Sequence, residues 1–297
     1  MLEAMRAGVN ECVTDPVSVP ELLAAVKRLM GNLSAGARGE VYAFIGAKGG
    51  VGATTAAVNV ATALAKNSDS TLLIDLNVAF GDAAVFLGEE PRFSVMDALE
   101  HVQRLDEAFF RGLVVRTKSG LELLGAPGRP TTGIFDATRI RALLDFVSQT
   151  RRITVLDVPR SDTAALDSLE MATKIILIAN QELATVRNAS RMAEALRKRY
   201  GQDRIHLVLT RTDRRAEIGH EDIQRTVGLS VRHTFPSDYR LALQAMNKGR
   251  PIVLDTASEL ASAFVAFARD LAGVPETEAD RKAWTGSLFG RLAPKRA

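Results

Sequence analysis

The sequence has few of the residues that form disulfides or bind structural metals. Its 297 residues contain one cysteine, Cys12, which cannot form an internal disulfide. The four histidines, His101, His206, His220 and His233, show no spacing typical of metal ligands. A structural zinc site is therefore not expected.

Long hydrophobic runs are also missing. No apolar stretch approaches the ~18 residues that a membrane-spanning helix needs, and the chain does not open with a basic region followed by a hydrophobic secretion segment. We therefore expect a cytoplasmic protein. The net charge of +3 is too small to indicate a nucleic-acid partner by itself, although local basic patches stay open.

Hydrophobic and charged residues make up 46% and 25% of the chain, which is ordinary for a soluble globular protein. From Val41 to about Gly273, apolar strand candidates alternate with amphipathic helices. This alternation predicts an α/β fold, doubly wound, with a mostly parallel sheet covered on both faces. The predicted strands are 41–45, 71–75, 121–124, 153–157, 174–179, 205–210 and 231–234. The predicted helices are 54–66, 138–148, 165–172, 185–200, 221–227, 239–247 and 258–272.

A glycine-rich segment joins the first strand to the first helix. Three glycines fall within four residues, and glycine lets consecutive backbone N–H groups curl around an anion at a helix N-terminus. The order strand, glycine loop, helix predicts a loop that binds the phosphates of a nucleotide, with Mg²⁺ bound by the Thr54 hydroxyl. The predicted nucleotide-binding residues of the loop are Lys48, Gly49, Gly50, Val51, Gly52, Ala53, Thr54 and Thr55.

The loop departs from the ordinary pattern Gly-x-x-x-x-Gly-Lys-Ser/Thr. In that alignment the first glycine is Ala47, the second is Gly52, and the lysine is replaced by Ala53. A different lysine, Lys48, stands near the front of the loop. The sequence therefore keeps the parts that hold phosphates but lacks the usual loop cation.

Carboxylates close two of the predicted strands. Asp75 ends one apolar run and Asp157 ends another, the latter in the pattern known as Walker B. Such a carboxylate is weak evidence alone, but with the loop in the right chain order it predicts a Mg²⁺ site made of Thr54, Asp75 and Asp157. Two residues after Asp75 stands Asn77, which cannot accept a proton.

The segment Lys48-Gly49-Gly50-Val51-Gly52-x-Thr54-Thr55 resembles the deviant Walker A loop of the MinD/ParA family of dimeric ATPases. The resemblance implies that Lys48 reaches across a homodimer to the partner's nucleotide. It also implies catalytic positions at Asp75 and Asn77, matching the family's Asp-x-Asp, whose second aspartate activates water. A further departure is Pro159-Arg160-Ser161, where the family has Pro-x-Gly.

Two later segments resemble the loops that hold adenine in this family. They imply that Arg211 stacks on or flanks the base and that backbone groups around Pro236 and Asp238 read its edge. The alternative is a pair of turns with a solvated arginine. Arg187, in a stretch that also resembles the family, either serves the dimer interface or caps charge on its own helix.

Finer features resemble the CpaE/TadZ branch of the family. They are Gly81-Asp82, Arg187-Asn188-Ala189 and Pro236-Ser237-Asp238-Tyr239-Arg240. The branch consists of cytoplasmic, often polar factors that assemble tight-adherence (Flp, type IVc) pili. The resemblance thus implies a homodimer formed through a nucleotide sandwich. Its implied partners are a pilus secretion ATPase and inner-membrane pilus assembly proteins.

Four regions are predicted along the chain. Residues 1–31 resemble the last third of a receiver domain, with Asp15-Pro16 where receivers have Lys-Pro, and about thirty residues cannot bury a core. A simple N-terminal extension is the alternative. Residues 32–40 form a linker, 41–273 the ATP-binding domain, and 274–297 a polar, basic tail. Apolar tail residues could contact a membrane, but Gly286 and Gly290 disfavour a helix there, so a disordered or docking tail is preferred.

The leading prediction is an ATP-binding, dimerising pilus factor with weak or absent hydrolysis. One alternative is an active ParA/MinD-type ATPase that positions cargo on DNA or membrane. Its basic surface would be Arg187, Arg191, Arg197, Lys198, Arg199, Arg214 and Arg215, although a solvated helix face explains the same charges. The other alternative is a signalling adaptor that has lost nucleotide binding.

Overall fold

The structure, a computed structural model, describes residues 38–274 except 69, 130–135, 214 and 256–257. Strands and helices mostly alternate along this part of the chain. The strands are β1 (Glu40–Gly46), β2 (Thr71–Asp75), β3 (Val115–Arg116), β4 (Glu122–Leu124), β5 (Ile153–Val158), β6 (Lys174–Ala179), β7 (Ile205–Thr212) and β8 (Val231–Pro236). The helices are α1 (Ala53–Ala65), α2 (Ala83–Leu87), α3 (Val95–Glu100), α4 (Glu107–Leu113), α5 (Ala137–Thr150), α6 (Thr163–Asp167), α7 (Leu183–Tyr200), α8 (His220–Val227), α9 (Tyr239–Asn247) and α10 (Glu259–Leu271).

All the strands join one sheet in the order β3-β4-β2-β5-β1-β6-β7-β8. Neighbours pair in parallel, except β3, which runs antiparallel to β4. The first strand, β1, lies between β5 and β6. The connection after β1 leads to β2 on one side of it, and the connection after β5 leads to β6 on the other side, so a crevice opens beyond the carboxyl end of β1, the usual place for a ligand in such sheets.

Side chains of β1 alternate between two cores, one on each face of the sheet. Tyr42 and Phe44 pack in the cluster that contains α1 and α10. Val41, Ala43 and Ile45 pack in the cluster that contains α5 and α7. Because both faces are covered, the central strands read as continuous apolar runs, and this is the reason that the sequence pattern located them.

The predicted α/β fold is confirmed. The bounds of β2, β6 and α9 agree with the sequence prediction, and the other predicted strands differ by one or two residues. Among the strands and α-helices of the described residues, four short ones were not predicted: α2, α3, α4 and β3. The helix predicted over 165–172 begins earlier, at Thr163, because the Asp162 carboxylate accepts a hydrogen bond from the Ala165 N–H (2.8 Å), and it ends as a 3₁₀ turn at Ser168–Glu170.

The predicted receiver-like fragment at 1–31, most of the predicted linker, and the tail from residue 275 lie outside the described residues. Among the helices that the structure describes, none combines the length and the apolar character needed to cross a bilayer.

Candidate functional site

The glycine loop between β1 and α1 lies at the carboxyl edge of the sheet. Gly50 and Gly52 have φ angles of 77° and 91°, a left-handed backbone that favours glycine. Gly52 is also the N-cap of α1 and provides no side-chain cap. The first N–H groups of α1 therefore point toward the loop with the positive end of the helix dipole behind them, an arrangement that attracts anions.

Strand ends hold the loop from behind. The Thr210 hydroxyl lies 2.6 Å from the Val51 carbonyl oxygen and 3.1 Å from that of Ala179. The Ala47 N–H donates to the Ile178 carbonyl (2.8 Å). Thr210 was not identified from the sequence, where nothing distinguishes it from other strand threonines. Its hydroxyl fixes the loop to β6 and β7.

Thr54, Asp75 and Asp157, the three predicted magnesium ligands, lie together. The Thr54 hydroxyl donates to Asp157 Oδ2 (2.6 Å), and Asp75 pairs with Asp157 in register across β2 and β5. Burial, followed by the nearby charge of Asp75, raises the pKa of Asp157 to about 7. Burial also raises the pKa of Asp75 to about 6, against two backbone hydrogen bonds that lower it. Two buried carboxylates and a hydroxyl suit a hard divalent cation, which relieves their repulsion.

The chain after β2 wraps around Asp75. The Asp75 carboxylate accepts hydrogen bonds from the N–H groups of Asn77 (3.0 Å) and Ala83 (3.1 Å). A Cβ atom at Gly81 would lie 2.5 Å from Asp75 Oδ2 and collide with Ala126 Cβ. The glycine of the Gly81-Asp82 pair is therefore required by the close approach of this turn to the carboxylate.

The Asn77 side chain is held by the turn that it begins. Its Oδ1 accepts a hydrogen bond from the Phe80 N–H (3.2 Å), and its Nδ2 donates to the Phe80 carbonyl (3.1 Å). Both polar ends of the amide thus bind the same residue. The Asn77 amide therefore stabilises the turn after Asp75 and supplies no proton acceptor, and its predicted catalytic position stays a prediction.

Lys48, near the front of the loop, forms an ion pair with Glu182. Its Nζ lies 3.0 Å from Glu182 Oε2, and the other Glu182 oxygen accepts from Asn180 Nδ2 (2.8 Å). The pKa of Glu182 is lowered, first by its hydrogen bonds from Lys48 and Asn180 and then by the charges of Lys48 and Arg211. The importance of Glu182 was not recognised from the sequence, although it lies in the segment that resembles the family.

The two segments with predicted base contacts meet at this edge. Arg211 has φ 51°, the one non-glycine residue in the described ranges with a left-handed backbone, and its Nη2 donates to the Gly50 carbonyl (2.7 Å). The Ser237 N–H donates to the Thr212 carbonyl (3.1 Å), which joins the loop of Pro236 to that of Arg211. Asp238 caps α9 by accepting from the Leu241 N–H (2.9 Å).

Arg187 takes no part in the contacts described above. It is exposed on α7 and lines a groove of about 550 Å³ between α7 and α8. The other residues on the groove are Leu183, Val186, Ser190, Arg191, Glu217, Ile218, Asp222 and Thr226. The predicted site residues other than Arg187 therefore share one edge of the sheet, and their roles stay predictions.

A glycine loop, a threonine and two buried aspartates at the carboxyl edge of a parallel sheet define the class of phosphate-loop α/β proteins. The family model described as "CobQ/CobB/MinD/ParA nucleotide binding domain" matches residues 42–252. The chain belongs to this family.

Individual relatives agree with this assignment. The septum site-determining protein MinD of Escherichia coli (strain K12) is 27% identical over 263 residues, which cover 82% of this chain and 96% of that protein. A ParA family ATPase from Chlorobium tepidum TLS has a similar structure, with TM-score 0.73 and 22% identity over 78% of this chain and 98% of that one. MinD from Pyrococcus horikoshii OT3, complexed with Mg-ADP, gives TM-score 0.66 and 18% identity over 78% and 95%.

Proposed function

We propose that the protein binds ATP with Mg²⁺ at this site and forms a homodimer through it, with slow or absent hydrolysis. The observation that carries the proposal is the combination of an intact threonine and carboxylate pair, Thr54 with Asp157, and an alanine at position 53, where the loop lysine would stand.

Binding can survive the loss of the loop lysine. The loop glycines and the uncapped start of α1 supply backbone N–H groups to the phosphates. Thr54, Asp75 and Asp157 would hold Mg²⁺, which supplies positive charge to the phosphate oxygens. The Mg-ADP in the MinD structure from Pyrococcus horikoshii supports this choice of ligand, since that protein shares the fold.

Hydrolysis needs more than binding. Phosphoryl transfer depends on positioned cations and an oriented water molecule. Ala53 brings no charge, and the Asn77 amide, which cannot accept a proton, is held by Phe80. The loss of one electrostatic group often lowers the rate ~100-fold or more. Because two such groups are missing, we infer that the protein uses ATP as a switch for assembly.

We propose that the cellular role of the protein is to help localise and assemble the secretion machinery of tight-adherence pili. The supporting features are the Gly81-Asp82 turn, Arg187-Asn188-Ala189 and the Pro236–Arg240 segment, which resemble the CpaE/TadZ branch. The partners would be a pilus secretion ATPase and inner-membrane pilus assembly proteins. The protein would bind them at the cytoplasmic face of the inner membrane.

A second candidate is an active MinD/ParA-type ATPase that positions cargo, which the similarity to septum site-determining proteins favours. Its DNA-binding form is less well supported. Arg197 donates to the Gly228 carbonyl (2.9 Å), and Arg199 pairs with Asp167 (2.5 Å), so two of the cations in the predicted basic surface make contacts within the protein.

Calorimetry with Mg-ATP and a phosphate-release assay on the purified chain test the proposal. We expect micromolar binding with negligible turnover, and dimers that form with ATP and are much weaker in Lys48→Ala. Rapid turnover in the unmodified protein would favour the second candidate. Undetectable ATP binding would overturn the proposal in favour of a nucleotide-free adaptor.

A further inference from the structure

Two cationic side chains and one anionic side chain lie together beside the glycine loop. Lys48 and Arg211 are the cations, and Glu182 is the anion. Arg211 is already engaged with the Gly50 carbonyl, while Lys48 contacts Glu182 across 3.0 Å. Asn180, a nearly buried residue at the end of β6, donates to the second oxygen of Glu182 and so holds this carboxylate toward the loop.

The Glu182 side chain does not cap its own helix by a hydrogen bond. Glu182 is the N-cap of α7, where a short polar side chain would accept a hydrogen bond from a first-turn N–H. Its side chain makes no such bond and extends to Lys48 instead. An acidic side chain that leaves its helix uncapped and contacts the lysine of a phosphate loop indicates a role in controlling that lysine.

We propose that Glu182 is a positioning residue that holds Lys48 within its own subunit until an ATP-bound partner offers phosphates in exchange. This inference rests on the proposed function, because it assumes that Lys48 crosses the dimer interface. In the free subunit the ion pair neutralises Lys48. In the dimer the triphosphate of the other subunit replaces the carboxylate, so breaking the pair is part of the cost of dimerisation.

The test measures the dimer dissociation constant by sedimentation equilibrium at saturating Mg-ATP, where changes in ATP affinity have no effect. Glu182→Gln removes the charge, and the half-exposed side chain makes misfolding a minor concern. We expect about two- to fivefold tighter dimers, the range typical of an exposed ion pair. Glu182→Ser, which also provides a good helix cap, should tighten the dimer similarly. Glu194→Gln, an exposed substitution on the same helix, should leave it unchanged.

A double-substitution cycle separates this role from direct repulsion between the Glu182 charge and the partner's triphosphate. If Glu182 acts by holding Lys48, Glu182→Gln has no effect on the weak dimers that Lys48→Ala still forms at high concentration. Tightening that persists in the Lys48→Ala background would overturn the inference, as would unchanged or weaker dimers in both Glu182 variants. Normal dimers of Lys48→Ala alone would instead refute the proposed role of Lys48.

Discussion

The two aspartates beneath the glycine loop make the stability of the nucleotide-free protein depend on pH. Their pKa values in the folded state, about 6 for Asp75 and about 7 for Asp157, lie above the ordinary value of 3.8. Between about pH 4 and pH 7 the folded protein therefore binds more protons than the unfolded chain. The free energy of unfolding falls as pH rises through this window.

Asp157→Asn should remove much of the fall in the free energy of unfolding that occurs as pH rises. The asparagine oxygen can still accept the Thr54 hydroxyl, but no buried charge forms. We expect the nucleotide-free variant to be about 1–3 kcal/mol more stable than the unmodified protein at pH 8, with little difference at pH 4. Urea denaturation at both values measures this, with exposed Asp203→Asn as control. An equal gain at the two pH values would contradict the assignment of the pH dependence to Asp157. The same variant should also lose Mg-ATP binding.

Two residues account for the expected slow hydrolysis. Ala53→Lys restores the loop cation, and Asn77→Asp supplies a proton acceptor while keeping the hydrogen bond from the Phe80 N–H. We expect the double variant to release phosphate ~100-fold faster or more, because oriented charge is the main contribution to this chemistry. Ala53→Met with Asn77→Asp is the matched control of similar length without charge. Equal rates in the two would show that the loop cation is not limiting.

At the scale of elements, the sequence pattern located the buried strands and the long helices. Burial on both faces makes a strand a continuous apolar run, and burial on one face gives a helix a periodic apolar pattern. It missed α2, α3, α4 and β3, which have two to seven residues each. Capping signals were present for two of them. Ser94 and Asp97 form a capping box on α3, and Asp106 caps α4 through the Phe109 N–H.

The candidate site was predictable to a similar extent. Thr54, Asp75 and Asp157 follow from the loop and strand ends, since parallel strands bring their carboxyl ends to one edge. The pair of Lys48 with Glu182 spans 134 positions and that of Thr210 with Val51 spans 159. No local pattern encodes such contacts, because they depend on the tertiary position of each strand end and on side-chain conformation.

The contact between α2 and the end of α9 depends on glycine on both sides. Gly88 has φ 67°, and a Cβ atom there would lie 2.6 Å from the Gly249 carbonyl oxygen. We expect Gly88→Ala to lower the free energy of unfolding by about 1–3 kcal/mol through strain and collision. Gly112→Ala, in α4 with open space around the added atom, should raise it by roughly 0.5–1 kcal/mol. Chemical denaturation of both variants checks this, and an unaffected Gly88→Ala protein would refute the packing argument.

On the scale of the whole molecule, large apolar side chains surround the candidate site without cover. Phe80, Leu183 and Tyr239 are 77%, 76% and 72% exposed. Phe80 lies in the turn of Asn77, Leu183 follows Glu182, and Tyr239 follows Asp238. Apolar groups exposed together around a binding site indicate an interaction surface, and the proposed nucleotide-bound dimer would cover them.

Phe80→Ser should therefore weaken the ATP-bound dimer. A large aromatic side chain buried at the centre of an interface is often worth 2 kcal/mol or more, so we expect the dimer dissociation constant to rise about tenfold or more. ATP binding to the single subunit should be unchanged, since the Phe80 backbone, which Asn77 contacts, is retained. Phe109→Ser, on α4 away from the site residues, is the control. Dimers as tight as those of the unmodified protein would show that the partner does not cover this edge.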